Sequence, residues 1–158
     1  MRVEYINPFV ESAYSVLKEV LNTAVKRGEI YLKPTSMAIK GVAALVGLAG
    51  DVEGRVLFDM TKTTALNVAG AMNQEEFSAL DEMAKATIQE LANMITAQAV
   101  TKLHDLGFKF DLTPPALFTG ENMEVSSNLG EVEALIVPMG MGEIGEIEVN
   151  VAIRERVK

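Results

Sequence analysis

Apolar residues first recur at helical spacing between positions 9 and 24, where Phe9, Ala13, Val16, Leu17, Val20, Leu21 and Ala24 share a face. Asn7-Pro8 ahead of them predicts the helix start, since asparagine caps well and proline suits the first helical position. Gly28 predicts its end. From 36 to 60 the pattern changes. MAIKGVAALVGLAG and GRVLFDM are apolar strand-like runs, and the GDVEG between them suits a hairpin connection. Thr61 opens a short helix reaching roughly Met72. Ser78 with Asp81 three positions on resembles a capping box, and the helix behind it extends to Leu106, with Gly107 as its stop. Thr113-Pro114-Pro115 excludes regular structure and redirects the chain. Beyond it, EVEALIVPM reads as a strand, and GEIEVNVAIR alternates with Ile147, Val149, Val151 and Ile153 on one face.

The order helix, strands, helix, helix, strands predicts an α+β fold: one domain over residues 1–158, with an antiparallel-rich sheet packed against two long helices. Each half is a long helix followed by a set of strands, which hints at an internal pseudo-repeat. No linker or low-complexity stretch divides the chain.

Composition narrows the chemistry. With 158 residues, 49% hydrophobic and 23% charged, the chain can bury a sizeable core. It has no cysteine, so disulfides, thiolate metal sites and thiol nucleophiles are excluded, and the single His104 excludes a multi-histidine metal site. A net charge of -8 without a basic patch argues against nucleic acid and anionic membrane as partners. MRVEYINPF lacks the apolar core of a signal peptide, and VAALVGLAG is too short to span a bilayer, so a cytoplasmic protein is expected.

Several motifs carry less than their letters suggest. GMGEIG at 140–145 matches a dinucleotide fingerprint, but a strand follows where that motif needs a helix, so it reads as a glycine-rich turn with no cofactor. His104 in the last turn of a helix complements the helix dipole. Met139 and Met141 read as core filler, and Glu75-Glu76 and Asp81-Glu82 as a solvated helix start. The long helix is more informative. Leu80, Ala84, Ile88, Leu91 and Ile95 form its buried stripe, so Glu90 and Asn93, three residues apart, point outward together. Ala86 and Ala97 flank them, leaving the polar pair with little bulk around it and open to a close-approaching partner.

These residues resemble the CheX/CheC family of chemotaxis phosphatases, CheX more than CheC. The likeness rests on ELANM at 90–94, which matches the family's E-x-x-N helix motif, and on HDLGFKFDLTPP, whose Pro-Pro lies at the family's distance from the asparagine. GLAGDVEGRVLFDM repeats the family's pattern of glycines and apolar residues, and the resemblance covers nearly the whole chain. It implies hydrolysis of the aspartyl phosphate of the response regulator CheY, with the helix pair inserted into the regulator's own active site. Asn93 would position the attacking water, and Glu90 would pair with the regulator's active-site lysine. Ala86 and Ala97 would then lie under the partner. No cofactor would be bound by this chain, because the Mg²⁺ sits in the regulator. The alternative is a non-catalytic binding module that sequesters a response regulator or another signalling protein.

Two positions depart from the family pattern. Ala86 stands where the family often has Ser or Asp, with Thr87 adjacent, and Glu11 to Tyr14 on the first helix reads E-x-x-Y where CheC carries a second E-x-x-N. The resemblance also implies a homodimer formed through strands, with the apolar strand at 146–153 as its edge.

Overall fold

The computed structural model describes residues 3–34, 37–125 and 133–156, so Glu131 and Val132 of the strand expected at EVEALIVPM lie outside the described residues. The elements, in order, are α1 (Val3–Leu21), β1 (Lys26–Arg27), β2 (Tyr31–Pro34), β3 (Met37–Ala38), β4 (Val42–Gly50), β5 (Val52–Met60), α2 (Lys62–Asn73), α3 (Glu82–Asp105), β6 (Phe110–Leu112), β7 (Ala116–Thr119), β8 (Glu124–Val125), β9 (Glu133–Gly140) and β10 (Glu146–Glu155). A 3₁₀ turn at Gly142–Ile144 joins the last two strands.

Eight strands form one antiparallel sheet in the order β1-β9-β10-β5-β4-β6, with β2 also on β9 and β7 also on β4, while β3 and β8 pair separately. Adding five to each strand number of the first half leaves this pairing unchanged. β5 and β10 meet at the centre, β4 and β9 flank them, and each half's first two strands cross over to the other half's sheet. The α+β architecture is therefore as expected, and the internal repeat hinted at in the sequence is present as a two-fold topology. In it α1 and α3 are counterparts, and α2 has none.

The core lies between the inner face of the sheet and the helices. Phe9, Ala13 and Leu17 of α1 meet Ile88, Leu91 and Ile95 of α3 over Val149, Val151 and Ile153 of β10. The stripe predicted for α3 is buried from Ala84 to Ile95, while Leu80 precedes the helix and is only half-buried.

Three local expectations are corrected. The first helix begins at Val3 rather than at Asn7-Pro8, and Pro8 lies inside it. Burial of Tyr5, at 1% exposure and edge-on to Phe108 at 5.1 Å, gives the earlier turn a packing role that outweighs the proline's missing donor. It ends at Leu21 with Asn22 in the left-handed region (φ 48°), well before Gly28, whose N–H instead bonds the Pro138 carbonyl. The cap of α3 is Asp81, whose carboxylate accepts from the Ala84 N–H at 2.8 Å, so Ser78 is not the capping residue.

The C-terminal strand is not an edge. β10 is paired along one side by β5 and along the other by β9. Period-two hydrophobicity marks the apolar face of a strand and carries no information about its edges. Both faces of β10 are buried: Glu148, Asn150 and Ala152 are covered as fully as the apolar residues between them.

Candidate active site

Helix α3 sets the site. Its apolar stripe locks the helix onto α1 and the sheet, so the opposite face is held rigidly outward. Glu90 and Asn93 are both exposed on that face, and neither side chain has a hydrogen bond or ion pair among the described residues. Besides its part in the helix, the Asn93 carbonyl accepts from Thr96 Oγ1 at 3.2 Å. Ala86 and Ala97 are exposed on the same stripe, so no large side chain stands on either flank of the pair.

Beside the pair runs an open groove of about 470 Å³ lined by Gln89, Glu90, Asn93, Leu112, Thr113, Pro114 and Pro115. Its far wall is pinned at two points. Gln89 Nε2 donates to the Pro115 carbonyl at 3.2 Å. Thr113 exchanges two bonds with Gly47 of β4: the Gly47 N–H donates to Thr113 Oγ1 at 2.8 Å, and the Thr113 N–H donates to the Gly47 carbonyl at 3.0 Å. The wall comes this close because β6 pairs with β4 at Gly50, where φ is +147° and a Cβ would lie 2.5 Å from Phe110 Cα. Nothing local in the sequence marks Gln89 and Thr113 as the residues that pin this wall, since their partners are 26 and 66 residues away.

Thr87, next to Ala86, does not join the site. Its hydroxyl donates to the Met83 carbonyl at 2.8 Å and accepts from Asn73 Nδ2 at 2.8 Å, tying α3 to the end of α2. The counterpart pair on α1 is differently placed. Glu11 and Tyr14 are exposed beside a groove of about 510 Å³ shared with Arg27 and Lys102, but Glu11 Oε2 is already engaged by Lys102 Nζ at 3.2 Å. The two-fold topology thus presents one free polar pair and one occupied pair.

The other motifs fall where they carry no site chemistry. His104 is exposed in the last turn of α3, edge-on to Phe110 at 5.2 Å. GMGEIG forms the β9–β10 connection, with the Met141 N–H closing onto the Gly145 carbonyl. Met139 and Met141 are buried in the core. Among the described residues no three His, Cys, Asp or Glu side chains are grouped to hold a metal ion, and no helix is long and apolar enough to cross a membrane.

A carboxylate and a carboxamide held free on a rigid convex helix cannot enclose a small substrate, but they can enter the cleft of another protein. Comparison with known proteins points the same way. The family model for chemotaxis phosphatase CheX matches residues 42–140. The CheY-P phosphatase CheX of Thermotoga maritima is 30% identical over 132 residues, which span 80% of this chain and 83% of that protein. A chain from the crystal structure of the CheX–CheY–BeF3–Mg complex of Borrelia burgdorferi superposes with a TM-score of 0.83 at 45% identity, over 98% of this chain and 100% of its own. A CheC-like superfamily protein from Shewanella sp. PV-4 superposes with a TM-score of 0.86 at 28% identity, over 98% and 99% of the two chains. The chain belongs to the CheX family of chemotaxis phosphatases.

Proposed function

We propose that this chain is a phosphatase of a phosphorylated CheY-like response regulator, acting in the cytoplasm as one domain over residues 1–158 and placing Glu90 and Asn93 in the regulator's active site. The observation that carries this reading is the uncommitted pair itself: two outward polar side chains on a rigid helix, flanked by Ala86 and Ala97, beside a pinned groove. Its support from relatives is the CheY-P phosphatase of T. maritima and the B. burgdorferi complex with CheY.

The reaction requires a water oxygen to form a bond to phosphorus while the bond to the aspartyl oxygen breaks, releasing inorganic phosphate and restoring the carboxylate. Such a step needs little covalent help beyond a water held in line with the leaving oxygen. The Asn93 carboxamide both accepts and donates hydrogen bonds, so it can hold that water without acting as a strong base. The Glu90 carboxylate, one turn away, pairs with a regulator lysine and fixes the register of docking. The Mg²⁺ belongs to the regulator and supplies charge neutralisation there.

We also assign a homodimer, with β2 as the contacting edge in place of the C-terminal strand. Beyond β9, β2 has no strand partner among the described residues, and Ile30 just before it and Leu32 within it are 47% and 55% exposed. Light scattering on the eluted protein should give twice 17.1 kDa, and a monomeric mass would reject the dimer.

The test of function is the decay of phosphorylated regulator with this protein in large molar deficit. Accelerated decay through many turnovers is the expected result. Binding without acceleration would establish the sequestering module instead, and neither effect would reject both.

A further inference from the structure

The face of α3 that bears Glu90 and Asn93 also bears a residue that the chemistry does not use. Met83 is 54% exposed, although the chain's other methionines with described side chains are buried or half-buried. At about 100° per residue, Met83, Ala86, Glu90, Asn93 and Ala97 fall within one sector of about 80°. Seven residues separate Met83 from Glu90, or about 10.5 Å along the helix axis. The backbone under Met83 is held, since its carbonyl takes the Thr87 hydroxyl, which is itself bonded by Asn73.

A protein partner of ordinary size covers about 800 Å² of each surface, a disc of roughly 16 Å radius. A partner centred on Glu90 and Asn93 therefore covers Met83. Among the described residues the other large exposed apolar side chains are elsewhere: Leu106 lies beyond the far end of α3, Tyr14 on α1 beside Lys102, and Ile30, Tyr31 and Leu32 at the β1–β2 side of the sheet. A flexible, polarisable side chain suits an adaptable apolar contact. Beyond Ala97 the stripe continues into the polar Thr101 and His104, both exposed.

We infer that Met83 is a positioning residue for the regulator: it makes an apolar contact with the regulator beside the site that receives Glu90 and Asn93, and it sets affinity and partner choice without contributing to the chemical step. This rests on the phosphatase reading above and adds the second contact that orients the helix in the regulator's cleft. Glu90 and Asn93 lie only one turn apart, so contacts there alone would leave the regulator free to pivot about them. A second anchor about two turns away removes that freedom.

The experiment titrates beryllofluoride-activated regulator against wild type, Met83→Ala, Met83→Gln and Met83→Leu, and measures initial rates against regulator concentration for the same proteins and for Asn93→Ala. Alanine is the best helix former, so the fold of the first variant is retained, and circular dichroism checks it. Met83→Ala and Met83→Gln should raise Kd and KM about tenfold, equivalent to about 1.4 kcal/mol. The kcat at saturation should not change, and Met83→Leu should stay close to wild type, since it conserves volume. An unchanged Kd and KM in Met83→Ala, with wild type active and Asn93→Ala inactive, would overturn the role of Met83 alone. A fall in kcat at unchanged KM would overturn it too. A wild type that neither binds the regulator nor speeds its decay would overturn the phosphatase reading, and Met83 with it.

Discussion

Ala97→Leu perturbs the docking face with the least disturbance elsewhere. Ala97 is exposed one turn beyond Asn93, and the bond that its carbonyl accepts from Thr101 Oγ1 at 3.1 Å is untouched by the change. Leucine is nearly as good a helix former as alanine, and exposed substitutions away from special features shift stability by no more than about 0.5 kcal/mol. The added side chain extends about 2.5 Å beyond Cβ through two more C–C bonds of about 1.5 Å each. A partner resting on the alanine surface must retreat or tilt by a comparable distance. Misplacement of reacting groups by about 1 Å costs on the order of 100-fold. The expected loss in kcat/KM is therefore at least about 100-fold, equivalent to about 2.7 kcal/mol of transition-state stabilisation. The assay compares phosphorylated-regulator decay and thermal melting of wild type and variant, with Ala86→Leu as the matching change on the other flank. A leucine variant with both wild-type melting and wild-type kcat/KM would refute close approach of the partner at α3.

Two further predictions concern the scaffold. Ile95, 1% exposed at the centre of the α1–α3 packing, should cost about 2–5 kcal/mol on truncation in Ile95→Ala, read from denaturant unfolding; a loss under about 1 kcal/mol would mean that α3 is not held as described. Asp59 lies opposite Glu148 across β5 and β10, fully buried, with Oδ1 accepting from the Lys40 N–H at 2.9 Å and Oδ2 without a hydrogen-bond partner among the described residues. Burial pushes its carboxyl above the ordinary 3.8 despite the nearby Lys40. The folded state thus binds the Asp59 proton more tightly than the unfolded state, so this group opposes folding above its folded-state pKa, and the penalty fades as pH falls towards 3.8. Asp59→Asn keeps the acceptor and should raise the melting temperature by a few degrees at neutral pH, with the gain shrinking in acid. A lower melting temperature at neutral pH would contradict this sign.

Much of the architecture was legible because periodicity reports burial. The stripe on α3 faces inward as its spacing requires, and so Glu90 and Asn93 face outward. Alanine was less informative: Ala84, Ala92 and Ala99 are buried while Ala86 and Ala97 are exposed, and only their angular positions distinguish them. The start of α1 was misplaced because the decisive term is the contact of Tyr5 with Phe108, 103 residues away in sequence, and not the local preference of Asn7-Pro8. The outer face of β10 was unreadable for a related reason. Glu148 and Asn150 look like solvated positions, yet Lys40 Nζ lies 2.9 Å from Glu148 Oε1, Tyr31 donates to Glu148 Oε2, and Arg55 Nη1 donates to Asn150 Oδ1 at 2.9 Å. Burial raises the Glu148 carboxyl, but the bonds from Tyr31 and Lys40 outweigh it and hold it below its ordinary range. Such compensation is made by residues about a hundred positions apart and leaves no local signal. The groove wall at Leu112–Pro115 follows the same logic, since Thr113-Pro114-Pro115 announces a turn but not that Gln89 and Gly47 will fix it beside Asn93.

Single-turnover decay of phosphorylated regulator at saturating concentrations of wild type, Asn93→Ala and Glu90→Ala separates a role for Asn93 in the chemical step from a role for Glu90 in holding the regulator. Asn93→Ala should bind the regulator with near wild-type affinity yet leave its decay at the unassisted rate. Glu90→Ala should need far more protein for the same effect, since removing one partner of a desolvated ion pair costs about 2–5 kcal/mol of binding. Decay accelerated by Asn93→Ala as fast as by wild type would contradict the account.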